Sequence, residues 1–466
     1  MLLAAIVVFV VAGSVAPGVR LGDREEASQA GIARPAPMRT MFVWETQPFE
    51  LSLSPIDPET LEPVPGLQPV AVGHHYVAGI RPDGRALAVV GWPSDASAGG
   101  RLQLIDLATW TAHSADVAID GNVGVIGFAV DGHELYVPQS PAMPPFAADV
   151  VIATGADGAE AGRITLPPTL VPWDLRPTQR GLVAVFAVGT DGSWLNNEPP
   201  RVILVDPSGR RVVADLVLEG VVAGQWGTHS TGYEASRPGL AWDTARDRLY
   251  VIDAAHDRLT VVDLDRGQVV AATELVSARS PLDALGAWLV PTVSAKLVPG
   301  TDRMAVLDPA GDRLYVATLR RTQSNDVREF SEMALGGFVV DTRTRRIVGR
   351  IDHPVSDLAL SPDGGHLLAT GTDVLSRHDQ AGVVTPHGVF VLDPPSLEQV
   401  AHIPSGGPTR IAGFSPDGGI AYLHSWEDEP SAGRECVIRS LRLDRLEVVA
   451  VRRVEGYCDI IATPPS

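Results

Sequence analysis

Cysteine is nearly absent from this chain, with Cys436 and Cys458 the two residues of that type in 466. That excludes a disulfide-rich scaffold and any Cys-rich zinc or iron–sulfur site, so the core must hold the fold. Basic charge is in deficit, with 37 Lys+Arg against 56 Asp+Glu and a formal charge of −19. Such a surface repels phosphate backbones, which excludes nucleic acid as a partner. The basic residues are almost all Arg, which reads as genomic base-composition bias and not as a binding signal. No Gly-rich phosphate loop, Gly-x-Ser-x-Gly elbow or His-Glu-x-x-His stands where it would matter. Hydrolases with local motifs are thereby disfavoured, whereas an enzyme whose residues come from several repeats is not.

A long hydrophobic run is missing as well. The apolar start, Met1 to Val11, is shorter than the roughly 20 residues that span a bilayer. It suits the apolar segment of a signal peptide, with Ser14-Val15-Ala16 as a small-x-small site, over residues 1–16. No Lys or Arg precedes the run and Pro17 would follow the cut, so an uncleaved membrane anchor is the alternative, and a buried strand a third. Either of the first two implies an extracytoplasmic protein, secreted, periplasmic or tethered, that meets the membrane only through this segment. Residues 17–39 are polar and Pro/Ala-rich, a linker.

Glycine (46) and proline (38) are plentiful, as many short strands joined by turns require. From about residue 40 one pattern recurs. A short apolar strand ends in a turn, as in Leu360-Ser361-Pro362-Asp363-Gly364, Phe414-Ser415-Pro416-Asp417-Gly418 and Ile80-Arg81-Pro82-Asp83-Gly84. A second strand follows, as in Leu135-Tyr136-Val137, Leu249-Tyr250-Val251 and Leu314-Tyr315-Val316. After a variable loop a third strand ends in Asp106, Asp206, Asp263, Asp341 or Asp393, and a Val-rich fourth strand closes the unit. Pro presets φ, Asp bonds its own backbone and Gly supplies positive φ. Each strand-ending Asp is thus an Asx-turn residue and needs no catalytic role.

Four strands in a period of about 45–65 residues mark a propeller blade. Units beginning near Tyr76, Val123, Pro172, Pro238, Arg303, Val355 and Thr409 make seven. The end of the chain, Cys458–Pro464, reads as one more first strand. Segments 41–44, 49–56 and 61–64 offer three strands lacking a first. The fold expected over 40–466 is therefore an all-β propeller of antiparallel blades, eight favoured and seven the alternative, closed by both chain ends in one composite blade.

The stretch from Asp247 to Val270 resembles the YVTN-type repeat of bacterial surface and periplasmic propellers. Ser-Pro-Asp-Gly at Ser361 and Ser415 is similar to the same group and to WD40-like periplasmic repeats. This resemblance spans about 40–466 and implies the fold. Such propellers include binding modules, lactonases and quinoprotein dehydrogenase subunits, and no family active-site motif transfers residue by residue. The Asn of YVTN is absent after the Tyr-Val pairs, and two blades carry long insertions.

Sorted by blade face, the turns after first and third strands are short. The long segments are 92–100, 138–148, 189–200, 320–336, 373–388 and 427–435 between second and third strands, and 220–237 and 275–301 between blades. All fall on one face, where binding would sit. His74, His75, His229, His353, His378 and His387 belong to that face, with Trp92, Trp194, Trp226 and Trp288. So do Glu198, Glu234, Asp379, Glu427 and Asp428. Trp226, His229 and Glu234 share its most polar-aromatic segment. No histidine pair has metal-ligand spacing except His74-His75, which point opposite ways on a strand. No metal or cofactor is expected. The strand openings near the axis hold His75, Arg237, Arg303 and Arg410, with Asp302 and Asp357 beside them. Three guanidinium groups there suit a small acidic ligand or a protein partner; pairing with neighbouring acids is the alternative. The reading is a binding or scaffolding propeller, with a propeller enzyme as the second hypothesis.

Cys436 and Cys458 both start strands on the loop-rich face of adjacent blades. A bridge between them would close the seam, yet first and third strands of a sheet lie about 9–10 Å apart, beyond the roughly 7 Å between Cα atoms that a disulfide tolerates. Bridge and unpaired thiols both remain open on the sequence.

Overall fold

A computed structural model describes residues 40–47, 50–73, 75–92, 99–115, 117–141, 147–190, 198–228, 232–275, 297–324, 329–377, 380–415, 417–429 and 433–462. Residues 1–39, where a leader and linker are expected from the sequence, lie outside the described residues, as do His74, Trp194, His229, Trp288, His378 and Asp379. Among the described residues there is no helix. The strands form antiparallel sheets, and the architecture is a β-propeller.

The strands group into units in chain order: 75–114, 122–165, 170–217, 239–274, 297–351, 357–403 and 409–455, here units 1 to 7. Cys458–Ala462 then pairs with Thr40–Gln47, which pairs with Glu50–Pro55 and through it with Val70–Gly73, making unit 8. Its register sets Trp44 opposite Cys458 and Thr40 opposite Ala462. The outer strand of this unit is Val70–Gly73, not 61–64. Leu61 sits at φ 59° and is buried beneath a turn, and the stretch around it makes only an Ile56–Pro63 bridge. In unit 2 the inner strand is broken into Asn122–Val123 and Gly127–Phe128.

Turn chemistry explains the punctuation. In the Ser361 turn, Gly364 N–H donates to the Ser361 carbonyl at 2.8 Å and Gly364 holds φ 72°. The Asp363 carboxylate accepts the Gly365 N–H at 2.9 Å. The strand-ending acids do the same work: Asp106 accepts from Ala108 and Thr109, Asp263 from Arg266 and Asp341 from Thr344. At Trp110, Arg210, Arg345, Leu397 and Leu446 the turn ends in a non-glycine residue at positive φ, and four of the third-to-fourth strand pairs then shift register by a bulge.

Apolar side chains from the flat faces of each sheet meet those of the next. Val77 and Val90 of unit 1 pack with Val123 and Leu135 of unit 2, and Phe186 of unit 3 with Trp242 and Leu249 of unit 4. The sequence continues through units 5 to 7. Unit 7 then meets unit 8 through Ile420, Tyr422, Ile438 and Ile460, and unit 8 meets unit 1 through Leu53, Tyr76 and Leu87.

Segments expected as loops on the long-loop face are partly strand. Arg313–Ser324 and Glu329–Asp341 run through 320–336, and Leu367–Arg377 and Gln380–Leu392 run through 373–388. Their extensions pair with one another, Glu329–Glu332 against Val374–Arg377, and join units 5 and 6 into one sheet. Likewise 427–435 continues the hairpin of unit 7, and 220–237 contains the hairpin Gly224–Thr228 with Gly232–Ser236. Alternating, hydrogen-bonding sequences such as Phe330-Ser331-Glu332-Met333 can propagate a ladder wherever a partner strand is extended beside them.

Candidate functional site at the axial mouth

Residues at or near the start of several inner strands meet where units 7, 8 and 1 adjoin. In unit 8, Asp459 follows Cys458 and is 4% exposed. Its Oδ2 accepts from Arg410 of unit 7 at 2.9 Å, Tyr76 of unit 1 at 3.1 Å and Tyr457 at 3.4 Å. One carboxylate thus ties three consecutive units. Burial, followed by the Asp459 charge, raises both tyrosines, so they remain neutral donors. Burial is the largest influence on Arg410 and would lower it, but Asp459 together with Tyr457 and Tyr76 outweighs it and the guanidinium is raised.

Arg410 Nε also donates to His424 Nδ1 at 2.8 Å. A guanidinium N–H can only donate, so Nδ1 carries the lone pair and the ring proton sits on Nε2. Burial, then the Arg410 charge, pushes His424 down to about 4 and keeps it neutral. Its Nε2 lies 3.1 Å from Cys436 Sγ. Cys436 and Cys458 are disulfide-bonded, with Cα atoms 5.7 Å apart. The spacing argument against the bridge fails because it holds within one sheet, whereas these cysteines meet across the interface between the sheets of units 7 and 8. His424, Cys436 and Cys458 are close enough together to suggest a metal centre. A bridged sulfur pair and a protonated Nε2 offer no such donor set in this arrangement.

Asp357 opens the inner strand of unit 6. Its Oδ2 accepts the Ile411 N–H of unit 7 at 3.3 Å, and among the described residues no guanidinium lies within ion-pair distance. Burial pushes its carboxyl up to about 6.

A second group forms among units 3, 4 and 5. Asp174 of unit 3 accepts from Trp242 Nε1 of unit 4 at 2.8 Å. Arg237 precedes the inner strand of unit 4, bridges to Asp302 of unit 5 through the backbone, and lies 5.9 Å over the Trp173 ring. Burial lowers Arg237, with Asp302 and Asp174 opposing. Asp302 pairs with Arg321 at 2.6 Å, and Arg321 with Glu332 at 2.6 Å. Burial raises Asp302 against the pull of both guanidinium groups.

Arg237, Arg303 and Arg410 therefore do not meet as three open cations. Arg303 turns away from Asp302 into the space between units 4 and 5. It pairs with Asp257 at 2.7 Å, stacks 5.3 Å over Phe338 and is 8% exposed. His75 is exposed on the first residue of its strand. Trp226 and Glu234 face each other across the hairpin of 224–236, and their side chains lie outside the described residues. His353 stacks on Phe390 at 4.5 Å, and His387 approaches Asp373 at 3.1 Å, both away from the Asp459 group. Aligning the first strands in the sequence singles out Arg410, Asp302 and Asp357, which lie on the inner strands of units 7, 5 and 6. It misses Asp459, Tyr76, Tyr457 and His424. Extending the same alignment to the closing strand would set Asp459 beside Arg410; His424, on a second strand, leaves no signal.

No protein-family model matches the chain, and no curated protein matches it. Among solved structures, the chain is similar to the dihydro-heme d1 dehydrogenase NirN in complex with DHE. Identity is 14%, coverage is 95% of this chain and 78% of that one, and the TM-score is 0.54. It also matches Kuenenia stuttgartiensis hydrazine synthase at 14% identity, covering 82% of this chain and 96% of that one, with a TM-score of 0.41. The Pseudomonas aeruginosa periplasmic gluconolactonase PpgL matches at 15% identity, over 78% of this chain and 95% of that one, with a TM-score of 0.44. At such identities the likeness is one of fold.

Proposed function

We propose that this protein is an extracytoplasmic binding propeller that takes a small acidic ligand on its long-segment face, at the axial mouth. What supports the reading is the contact of Tyr76, Arg410 and Asp459 from the inner strands of units 1, 7 and 8, with Asp357 on the Ile411 N–H beside Arg410. Arg410 and Arg321, with side chains 31% and 38% exposed, are the guanidinium groups that a carboxylate or phosphate would reach. The disulfide fits an oxidising compartment. The Ser361 and Ser415 turns and the Asp247–Val270 stretch support kinship with YVTN-type and WD40-like propellers.

Calorimetric titration of the oxidised full chain with a panel of sugar acids, dicarboxylates and phosphate esters tests this. Arg410→Gln should abolish the heat of the binding ligand while Arg211→Gln, at a turn on the other face, leaves it intact. A panel with no binder, or equal heats in both variants, sinks the reading. Asp357 favours a second one, a propeller enzyme that uses this carboxyl as proton acceptor or donor. Turnover lost in Asp357→Asn with binding retained would select it.

A further inference from the structure

The disulfide, the buried histidine and the axial mouth are joined by direct contacts. Cys458 precedes Asp459, and Tyr457 precedes Cys458. Cys436 Sγ meets His424 Nε2 at 3.1 Å, and His424 Nδ1 holds Arg410 at 2.8 Å. Arg410 holds Asp459 at 2.9 Å. The loop of contacts is closed: bridge, His424, Arg410, Asp459 and back along the chain to the bridge. Cys436, Cys458 and Ser425 are each 0% exposed and His424 is 2% exposed.

We propose that the Cys436–Cys458 bridge controls the axial mouth, and that His424 is the positioning residue through which its redox state reaches Arg410. This rests on the reading of the mouth as the ligand site. A dithiol of the reductase class would supply two electrons and two protons. The S–S bond breaks, two thiols form, and the dithiol becomes a disulfide. Two sulfurs no longer bonded must move apart inside a buried, close-packed apolar cluster. The strand that gives way is Cys458–Ala462, because it is hydrogen-bonded on one side only, to Thr40–Trp44. Its displacement carries Asp459 and Tyr457 with it. At the same time Cys436 gains a proton or a charge opposite the His424 N–H, and the ring turns. Both partners that fix Arg410 are altered by one covalent event.

Trp426 stands where the change can be read. Its ring centroid is 5.4 Å from His424 and 6.0 Å from Tyr457. The test compares the native full chain, the same chain reduced by a phosphine, and the variant Cys436→Ser/Cys458→Ser. Each is labelled with phenylglyoxal, and arginine adducts are mapped by mass spectrometry beside tryptophan emission. Labelling of Arg410 should rise several-fold in both bridge-free forms, with a shift in tryptophan emission that Trp426→Phe removes. Arg163, an ion-paired arginine in unit 2, should keep its rate. His424→Phe should label Arg410 fast while oxidised and show no further response to reduction. Equal Arg410 rates with and without the bridge overturn the proposal. So does a rise at Arg163 in step with Arg410, which would mean general loosening. The labelling uses no ligand, so an empty ligand panel would overturn the binding reading and leave this result standing.

Discussion

A carboxyl group that turns inward loses water, and for Asp357 the Ile411 N–H, the Arg410 charge and the Leu358 N–H do not make up the loss. Its folded value of about 6 stands above the ordinary 3.8. The folded state therefore keeps the proton between these values. Stability contributed by that proton is present below about pH 4, falls as pH rises toward 6, and is gone above it. Asp357→Asn removes this titration. Relative to the parent, the variant should gain about 1–3 kcal/mol between about pH 4 and pH 7, the upper end being discounted for partial exposure. Urea unfolding at both pH values checks it, and a constant difference would refute the assignment. Buried His424 runs the opposite way. Its neutral form contributes stability above its ordinary value, which is lost as pH falls toward about 4. Backbone strain gives a second residue-scale outcome. Arg345 holds φ 57° at the end of a turn where unit 4 has Gly267 at φ 60°. Arg345→Gly should stabilise by about 1 kcal/mol, seen as a higher urea midpoint at unchanged slope. Residues of this kind are legible in the sequence to unequal degrees. Turn acids such as Asp106 and Asp341 announce themselves by position in the repeat. Asp459 does not, because two of its three partners, Tyr76 and Arg410, come from distant stretches of chain.

Within a unit, the strands divide the labour by depth. In unit 3 the second strand, Val183–Gly189, is buried at every residue, while the outer strand, Arg211–Val217, alternates between exposed and half-buried. Continuous apolar sequence marks the former; the latter alternates in exposure but not in sequence, since Val213 and Val217 are apolar and exposed, so only the buried strand is legible in the amino-acid pattern. Phe186 is 0% exposed between units 3 and 4, and Val213 is 41% exposed. Phe186→Ala should cost about 3–5 kcal/mol and Val213→Ala no more than about 0.5 kcal/mol, compared by thermal or urea unfolding. Equal costs would contradict the layering. Elements that the repeat does not share are harder to read. The paired extensions of units 5 and 6 carry Met333, Leu375 and Val383 at 50%, 45% and 60% exposure. Their strand character comes from a neighbour distant in the chain, Glu329 facing Arg377 for example, and not from local turn signals.

At the scale of the molecule, the seam is where the chain's two ends must find each other before the last cluster can form. Cys458, Ile460 and Ala462 pack against unit 7, while Ile461 packs toward unit 1 with Leu53 and Tyr76. Alternate residues of one strand thus serve two interfaces. The strand also covers the inner edge of Thr40–Trp44. Removing residues 458–466 should do three things at once: strip both clusters of their apolar contacts, expose a strand edge, and delete the bridge. The bridge alone, closing a loop of 22 residues, is worth on the order of 3 kcal/mol. Cys458→Ser should therefore lower stability by about that much and leave the protein folded. The truncated chain should lose far more, with a large fall in melting temperature and a gain in aggregation, followed by circular dichroism and light scattering. If the truncated chain melts no lower than Cys458→Ser, the closing strand contributes only its cysteine. The apolar contacts and strand pairing of residues 459–462 would then be energetically silent.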